Sequence, residues 1–259
     1  MTILDDIIAL KRTEVHELKK QVPFRKLEQS DYFEREVISL TSWLAKASKT
    51  SIIAEFKRKS PSKGIINGLA KPEEVVIGYA TGGASGISVL TDTKFFGGSA
   101  EDLIRARNAV TIPVLRKDFT IDEYQVVESK AIGADVILLI AACLSKSQLK
   151  DLAKAAKSLG MQVIMEIHKS SELALINEFV DIVGVNNRNL KTFDVDIDTS
   201  VELIKQIPSD FLAISESGID SADNIKKLKE SGFDGFLIGE CFMKEVDPVK
   251  AFNELMSKL

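Results

Sequence analysis

Residues that build metal sites and disulfide frameworks are scarce in this chain. Among 259 residues there are two cysteines, Cys143 and Cys241, and two histidines, His16 and His168. The cysteines lie far apart and fit no metal-ligand spacing, so idle or buried thiols in a reducing compartment are expected, with no metal. The most apolar stretch, Ala134 to Leu144 (ADVILLIAACL), is too short to cross a hydrocarbon core of about 30 Å as a helix. The opening MTILDDIIALKRTEVHELKK carries acids early and has no unbroken apolar core, which argues against a signal peptide. Charge is not segregated either: the net −4 is spread along the chain without a basic block or an acidic tail. Nucleic acid and membrane surfaces are therefore not expected as partners, and the protein is expected in the cytoplasm. No Gly/Ser- or Pro-rich linker divides the chain, which reads as one domain over residues 1–259.

What is present is a regular alternation. From about residue 51, short β-branched runs are followed by longer amphipathic ones. The strand candidates are Ser51–Phe56, Gly86–Leu90, Ile112–Leu115, Asp135–Ile140, Gln162–Ile167, Ile182–Asn186, Phe211–Ser215 and Gly235–Ile238. Their nearly continuous apolar character marks strands buried on both faces, as in a parallel sheet. Helix starts are legible between them. Thr120–Glu123 and Ser145–Gln148 match the capping-box spacing, and Asp247-Pro248 puts an N-cap before a first-turn proline. The first strand ends in EFKRK with no GxGxxG, which disfavours a doubly wound dinucleotide fold. Eight such units predict an α/β fold, a (β/α)8 TIM barrel over 49–259. Residues 1–48 read as an N-terminal helical extension: Ile3, Ile7, Leu10 and Lys11 share a face, and a second helix is expected near Phe33–Ala47.

In such a barrel, reactive groups sit at the C-terminal ends of the strands. Here those ends carry Glu55 and Lys57, then Arg116-Lys117-Asp118, Glu166, Asn186-Asn187-Arg188, Ser215-Glu216-Ser217-Gly218 and Gly239-Glu240. One charged residue at a strand end is ordinarily a solvated loop residue. Charges from several strands converging on one mouth are a site, because burying them unpaired is costly. With Lys117 pointing inward, alternation turns Arg116 and Asp118 outward as structural ion-pair formers. His168 reads as a loop residue and His16 as a surface one. Ser217-Gly218 and Gly239-Glu240 follow the last two strands, where barrels often bind phosphate through close-approaching backbone N–H groups, and Ser60–Gly64 adds hydroxyl and cationic groups. The residues alone thus predict a phosphorylated small-molecule substrate and lysine/glutamate acid–base chemistry.

Seven segments carry a more specific likeness. IAEFKRKSPSKG (53–64), SVLTDTKFFGGS (88–99), PVLRKDF (113–119), VIMEIH (163–168), VGVNNRNLKTF (183–193), SESGI (215–219) and FLIGECFM (236–243) resemble, in order, the motifs of the indole-3-glycerol-phosphate synthase family. The opening ILDDIIALKRTEV is similar to that family's N-terminal extension. The resemblance implies a catalytic set at Glu55, Lys57, Lys117, Glu166, Asn186 and Ser217, with Arg188 holding substrate polar groups. It places phosphate contacts at Lys57, Ser60, Gly218, Gly239 and Glu240, and packing of the substrate's aromatic ring on Phe96, Phe119, Leu138 and Leu190. Family members often carry serine where this chain has Glu240, and a carboxylate there repels a phosphate dianion unless it points away.

The resemblance also implies a reaction: ring closure, decarboxylation and dehydration of 1-(2-carboxyphenylamino)-1-deoxyribulose 5-phosphate, with no cofactor. Lys117 would protonate the ketone oxygen as the ring carbon attacks. Lys57 with Glu55 would serve the dehydration, and Glu166 would share the base role or orient Lys117. A monomer is the default expectation. Two neighbouring barrels fit less well. Phosphoribosylanthranilate isomerase relies on a Cys/Asp pair that the first strand lacks, and the tryptophan synthase α subunit lacks the extension and the RKDF lysine. A non-catalytic ligand-binding barrel would have no need of the four charged groups at Glu55, Lys57, Lys117 and Glu166.

Overall fold

The alternating pattern closes into a barrel in the computed structural model, which describes residues 2–46 and 50–259. The eight strands are β1 (Ile52–Phe56), β2 (Gly86–Leu90), β3 (Val114–Lys117), β4 (Val136–Ile140), β5 (Gln162–Ile167), β6 (Ile182–Asn186), β7 (Leu212–Glu216) and β8 (Gly235–Ile238). Each pairs in parallel with its sequence neighbours, and β1 closes the ring against β8, with Ile52 opposite Phe236. The sequence anticipated every strand to within two residues. The largest offset, in β3, has a local cause: Pro113 has no N–H to give to a ladder, so pairing begins at Val114.

Side chains alternate across each strand, and that alternation separates two cores. Ala54, Phe56, Ile87, Val89, Leu139, Met165 and Val185 point outward under the helices. Ile53, Leu115, Val136, Leu138, Ile164, Ile182, Ile214 and Leu237 fill the barrel interior. Two residues further along the same inward rows, the apolar series gives way to Glu55, Lys117, Glu166 and Glu216, and on β6, past Gly184, to Asn186. One periodicity therefore builds a dry floor and a charged mouth.

The N-terminal extension departs from the predicted helix near 33–47. A long helix, Ile3–Gln21, starts with a capping box between Thr2 and Asp5, but it is followed by a short turn of helix at Phe24–Leu27 and another at Leu40–Leu44. Residues 33–39 are not helical, because the barrel uses their backbone: Ile38 N donates to Asp135 Oδ1 at 2.8 Å and Leu40 N to Gln162 Oε1 at 2.5 Å. Those amides cannot also serve a helix ladder. Leu40 and Leu44 are buried against the barrel's inner residues and approach Gly86 and Gly235, the first residues of β2 and β8. They plug the end of the barrel opposite the charged mouth. The expected end of this helix at Ala47 and the expected division between 48 and 49 lie outside the described residues.

Two further expectations are corrected or refined. The helix Glu123–Ala131 is capped by Asp122, which accepts from Tyr124 N at 2.9 Å, and not by Thr120, which is buried. Ser145 does form its capping box with Gln148, and Asp247 caps the last helix before Pro248. The sequence reading had no signal for a small antiparallel hairpin, Lys59–Ser60 with Gly64–Ile65, in the loop after β1. Among the described residues no helix is long and apolar enough to cross a membrane.

Candidate active site

A cleft of about 640 Å³ opens at the C-terminal ends of the strands. Glu55, Lys57, Ser60, Phe96, Lys117, Phe119, Leu138, Glu166, Asn186, Arg188, Leu190, Ser217, Gly218, Gly239 and Glu240 all line it, so every predicted site residue reaches one place. The N-terminal helix contributes Ile3, Leu4 and Ile7 to the rim, which the sequence reading did not assign to the site.

At the centre lies Lys117, the last residue of β3. Its ammonium donates to Glu166 Oε2 at 2.8 Å and to Glu216 Oε2 at 2.5 Å. All three side chains are nearly dry, and an unpaired charge here would be penalised heavily. Burial alone would lower the affinity of Lys117 for its proton. The carboxylates of Glu166, Glu216 and Glu55 outweigh it and raise the pKa, so the lysine is held as an ammonium. The two partners are driven apart. Burial opposes ionisation of Glu166, yet Lys117, His168 and an Asn186 hydrogen bond bring it down to about 2. Burial, with the charges of Glu166 and Glu55, pushes Glu216 up to about 7 despite Lys117. One ammonium cannot fully compensate two buried carboxylates, so one of them retains its proton near neutrality.

Glu216 lies within the SESGI segment, but the resemblance gave it no role in the site, only its neighbour Ser217. Counting by two along β7 would have found it, because Leu212, Ile214 and Glu216 share the inward row. Leu237 lines the cleft for the same reason on β8. His168 is also more than a loop residue: its Nε2 lies 3.4 Å from Glu166 Oε1, on the side away from Lys117's hydrogen bond to Oε2. His16 is exposed, as expected.

A second pair sits on β1 and the loop after it. Lys57 Nζ donates to Glu55 Oε1 at 2.7 Å, while Ser88 Oγ reaches Glu55 Oε2 at 3.4 Å. Gly239 must lack a side chain to leave room for this pair, since a Cβ there would come within 2.6 Å of Glu55 Oε1. Arg116 turns away from the mouth, whereas Asp118 lies at the edge of the cleft, and both are taken up in ion pairs. Arg116 pairs with Glu128 at 2.7 Å, and Asp118 with Lys11 of the N-terminal helix at 3.0 Å. Lys11 also reaches Asp92 at 3.0 Å, and Asp92 accepts from Phe95 N to start the turn that carries Phe96. Phe96 and Phe119 then pack against each other, tilted by 40° with ring centroids 6.0 Å apart, and together offer an aromatic surface to a flat ligand.

The loops after β6, β7 and β8 form the polar rim. Asn187 is a buried bolt: its amide donates to Ser215 Oγ and to Ser217 O, each at 3.0 Å, and accepts from Ser200 Oγ at 2.7 Å. It holds Ser217 at φ +71°, a left-handed conformation that costs a non-glycine residue about 1 kcal/mol. Gly218 follows at φ +71°, packed so that a Cβ would meet Val195. Arg188 Nη2 donates to Glu240 Oε2 at 3.1 Å, and Lys63 Nζ stands 4.0 Å from Glu240 Oε1. No turn, loop or cap hydrogen bond among the described residues uses the amides of Gly218 or Glu240. Both thiols are partly buried, and burial pushes Cys143 up to about 12, far from a reactive thiolate.

Residues 4–255 match the family model described as indole-3-glycerol phosphate synthase. The indole-3-glycerol phosphate synthase of Bacteroides thetaiotaomicron is 46% identical over 257 residues, covering 99% of this chain and 98% of that protein. The enzyme of the same name from Laribacter hongkongensis is 42% identical over 260 residues, covering 98% and 99%. Among solved structures, the N-acetylmannosamine-6-phosphate 2-epimerase of Clostridium perfringens superposes with a TM-score of 0.60 at 16% identity, covering 82% of this chain and 94% of that one. A chain of the tryptophan synthase complex of Pyrococcus furiosus gives 0.59 at 14%, covering 82% and 98%. These two likenesses show the fold alone.

Proposed function

The chain belongs to the indole-3-glycerol phosphate synthase family, and on that premise we propose that Lys117 is the general acid of its ring closure, with Glu166 and Glu216 as its positioning and proton-exchanging partners. The enzyme is a carboxy-lyase of tryptophan biosynthesis that converts 1-(2-carboxyphenylamino)-1-deoxyribulose 5-phosphate to indole-3-glycerol phosphate, carbon dioxide and water. One observation carries the assignment: a buried ammonium clamped by two carboxylates at the mouth of the barrel.

The hard step is attack of the carboxylate-bearing ring carbon on a weakly electrophilic ketone. Negative charge grows on the ketone oxygen, and a preorganised ammonium stabilises it most in the transition state. Lys117 donates that proton. Carbon dioxide then leaves and its bonding electrons restore the aromatic ring. Dehydration needs an acid for the departing hydroxyl and a base for a proton on the new five-membered ring. Lys57, hydrogen-bonded to Glu55, is the acid–base couple for that step. The short Glu166–Lys117 contact and the lowered pKa of Glu166 support its reading as an orienting carboxylate. Glu216, poised near neutrality, is the better group to take up and return a proton.

Binding falls to the rim. Phe96, Phe119, Leu138 and Leu190 receive the aromatic ring. Asn186 and Arg188 hold substrate polar groups, and Ser217 completes the catalytic set. Lys57, Ser60, Gly218, Gly239 and the Glu240 amide form the phosphate seat, which fixes the ribulose chain for ring closure. In the same reading the chain is a single domain, residues 1–48 extending the barrel of 49–259. It acts as a cytoplasmic monomer without a cofactor and without a nucleic-acid or membrane partner.

The test is an assay with purified protein, the carboxyphenylamino-deoxyribulose phosphate and EDTA, followed by indole fluorescence. A rising signal with stoichiometric carbon dioxide is expected, and it should be lost in Lys117→Met. A Lys117→Met enzyme with near-normal turnover would remove Lys117 from the mechanism.

A further inference from the structure

We propose that Glu240 is a built-in competitor for the phosphate seat, a residue that sets how tightly the enzyme holds the phosphate of both substrate and product. The inference rests on the phosphate reading above, which lets Gly218, Gly239 and Ser60 line that seat. Beside Lys57, which pairs with Glu55, two further cations at the rim, Arg188 and Lys63, are bridged by a carboxylate of the protein itself. Arg188 Nη2 donates to Glu240 Oε2 at 3.1 Å, and Lys63 Nζ lies 4.0 Å from Glu240 Oε1. Arg188 comes from the loop after β6, Lys63 from the loop after β1 and Glu240 from the end of β8. The carboxylate thus ties three loops together across the mouth. The guanidinium is further held by Phe193 O, which accepts from Nη1 at 3.3 Å.

A phosphate monoester carries a charge near −2 at neutral pH and favours the donors that a carboxylate uses. Glu240 and the phosphate cannot both keep Arg188 and Lys63, because two anions at that separation repel. A phosphorylated ligand must therefore displace the Glu240 carboxylate or bind beside it at reduced affinity. Substrate and product bear the same phosphate, so the penalty is shared by both and falls little on the reacting atoms. Such uniform weakening raises KM and speeds product departure without opposing the transition state. Glu240 and Arg188 are both partly exposed, at 32% and 23% of the side chain, so the carboxylate can swing out without disturbing the core.

The probe is inorganic phosphate, measured as a competitive inhibitor of indole formation in wild type, Glu240→Gln and Glu240→Ser. Removing the internal anion should lower the inhibition constant for phosphate by about tenfold in both variants, a size typical of one charge-assisted contact released. KM for the substrate should fall with it. The gap between wild type and Glu240→Gln should narrow as salt is added, since the effect is a charge interaction at a partly exposed site. Unchanged or weaker phosphate inhibition in both variants, with indole formation intact, would overturn the competitor role and leave the phosphate seat standing. If phosphate fails to compete with substrate in wild type and in both variants, the seat itself is misplaced and the inference falls with it.

Discussion

Lys117 Nζ stands 2.5 Å from Glu216 Oε2, a contact across the barrel between the ends of β3 and β7. Glu216 is thereby tied to the proposed acid while its own proton affinity is raised to about 7. Turnover should rise with pH through that value as Glu216 becomes a carboxylate able to accept a proton. Glu216→Gln should lower kcat about a hundredfold and flatten this ascending limb, as loss of one acid–base group does. The pH profile of kcat/KM, recorded for both proteins, gives the answer; an unchanged limb in the variant would assign it to another group.

Stability provides an independent reading of the same residue. A carboxyl whose folded pKa lies above its unfolded value binds more protons in the native state, so its contribution declines as pH rises from about 4.5 through about 7. Glu216→Gln removes that cost. Its Tm, relative to wild type, should be higher at pH 8 than at pH 5, and a constant difference across this range would contradict the raised pKa.

Lys117→Met should reduce kcat by about a thousandfold or more while substrate affinity stays within about tenfold, because the lysine acts mainly in the transition state. The variant also strands Glu166 and Glu216 beside each other without a cation. Proton uptake on folding should therefore increase, which potentiometric titration of the two proteins can measure.

Lys11 joins the N-terminal helix to the barrel by bridging Asp92 and Asp118, each at 3.0 Å and each buried. Lys11→Met leaves the dry Asp92 without its cation and Asp118 with only Arg116, 3.5 Å away, and should cost about 3–5 kcal/mol in urea unfolding, the usual penalty for breaking a buried pair from one side. A loss under about 1 kcal/mol would mean that water reaches the aspartates readily.

Gly239→Ala tests the crowding around Glu55. The added methyl would meet Glu55 Cβ at 2.7 Å and Oε1 at 2.6 Å, so the Glu55–Lys57 pair must move. A shift of about 1 Å in a catalytic pair costs up to about a hundredfold in rate. A fall in kcat of more than about tenfold with little change in Tm is expected from kinetics and thermal melts.

The eight strands and the residues that end them were legible because buried parallel strands announce themselves as short apolar runs, and inward rows can be followed by counting in twos. Lys117, Glu166 and Asn186 sit where that counting puts them. Local chemistry was legible too where it stayed local, as in the Ser145 and Asp247 caps. The helix expected near 33–47 failed for the opposite reason. Its amides are taken by Asp135 and Gln162, about a hundred residues away, and no local propensity reports such a competitor.

Strand order, barrel closure and the identity of most cleft residues follow from periodicity and motif order, which are properties of neighbouring residues. Which charge pairs with which follows from closure of the ring. Lys117 meets Glu166 and Glu216 across separations of 49 and 99 residues. Arg188 meets Glu240, and Leu40 and Leu44 find the open end of the barrel, by the same route. These contacts depend on the curvature and register of the whole sheet, and a burial penalty decides them: a buried ammonium, carboxylate or apolar face settles on whatever partner the closed barrel brings within reach.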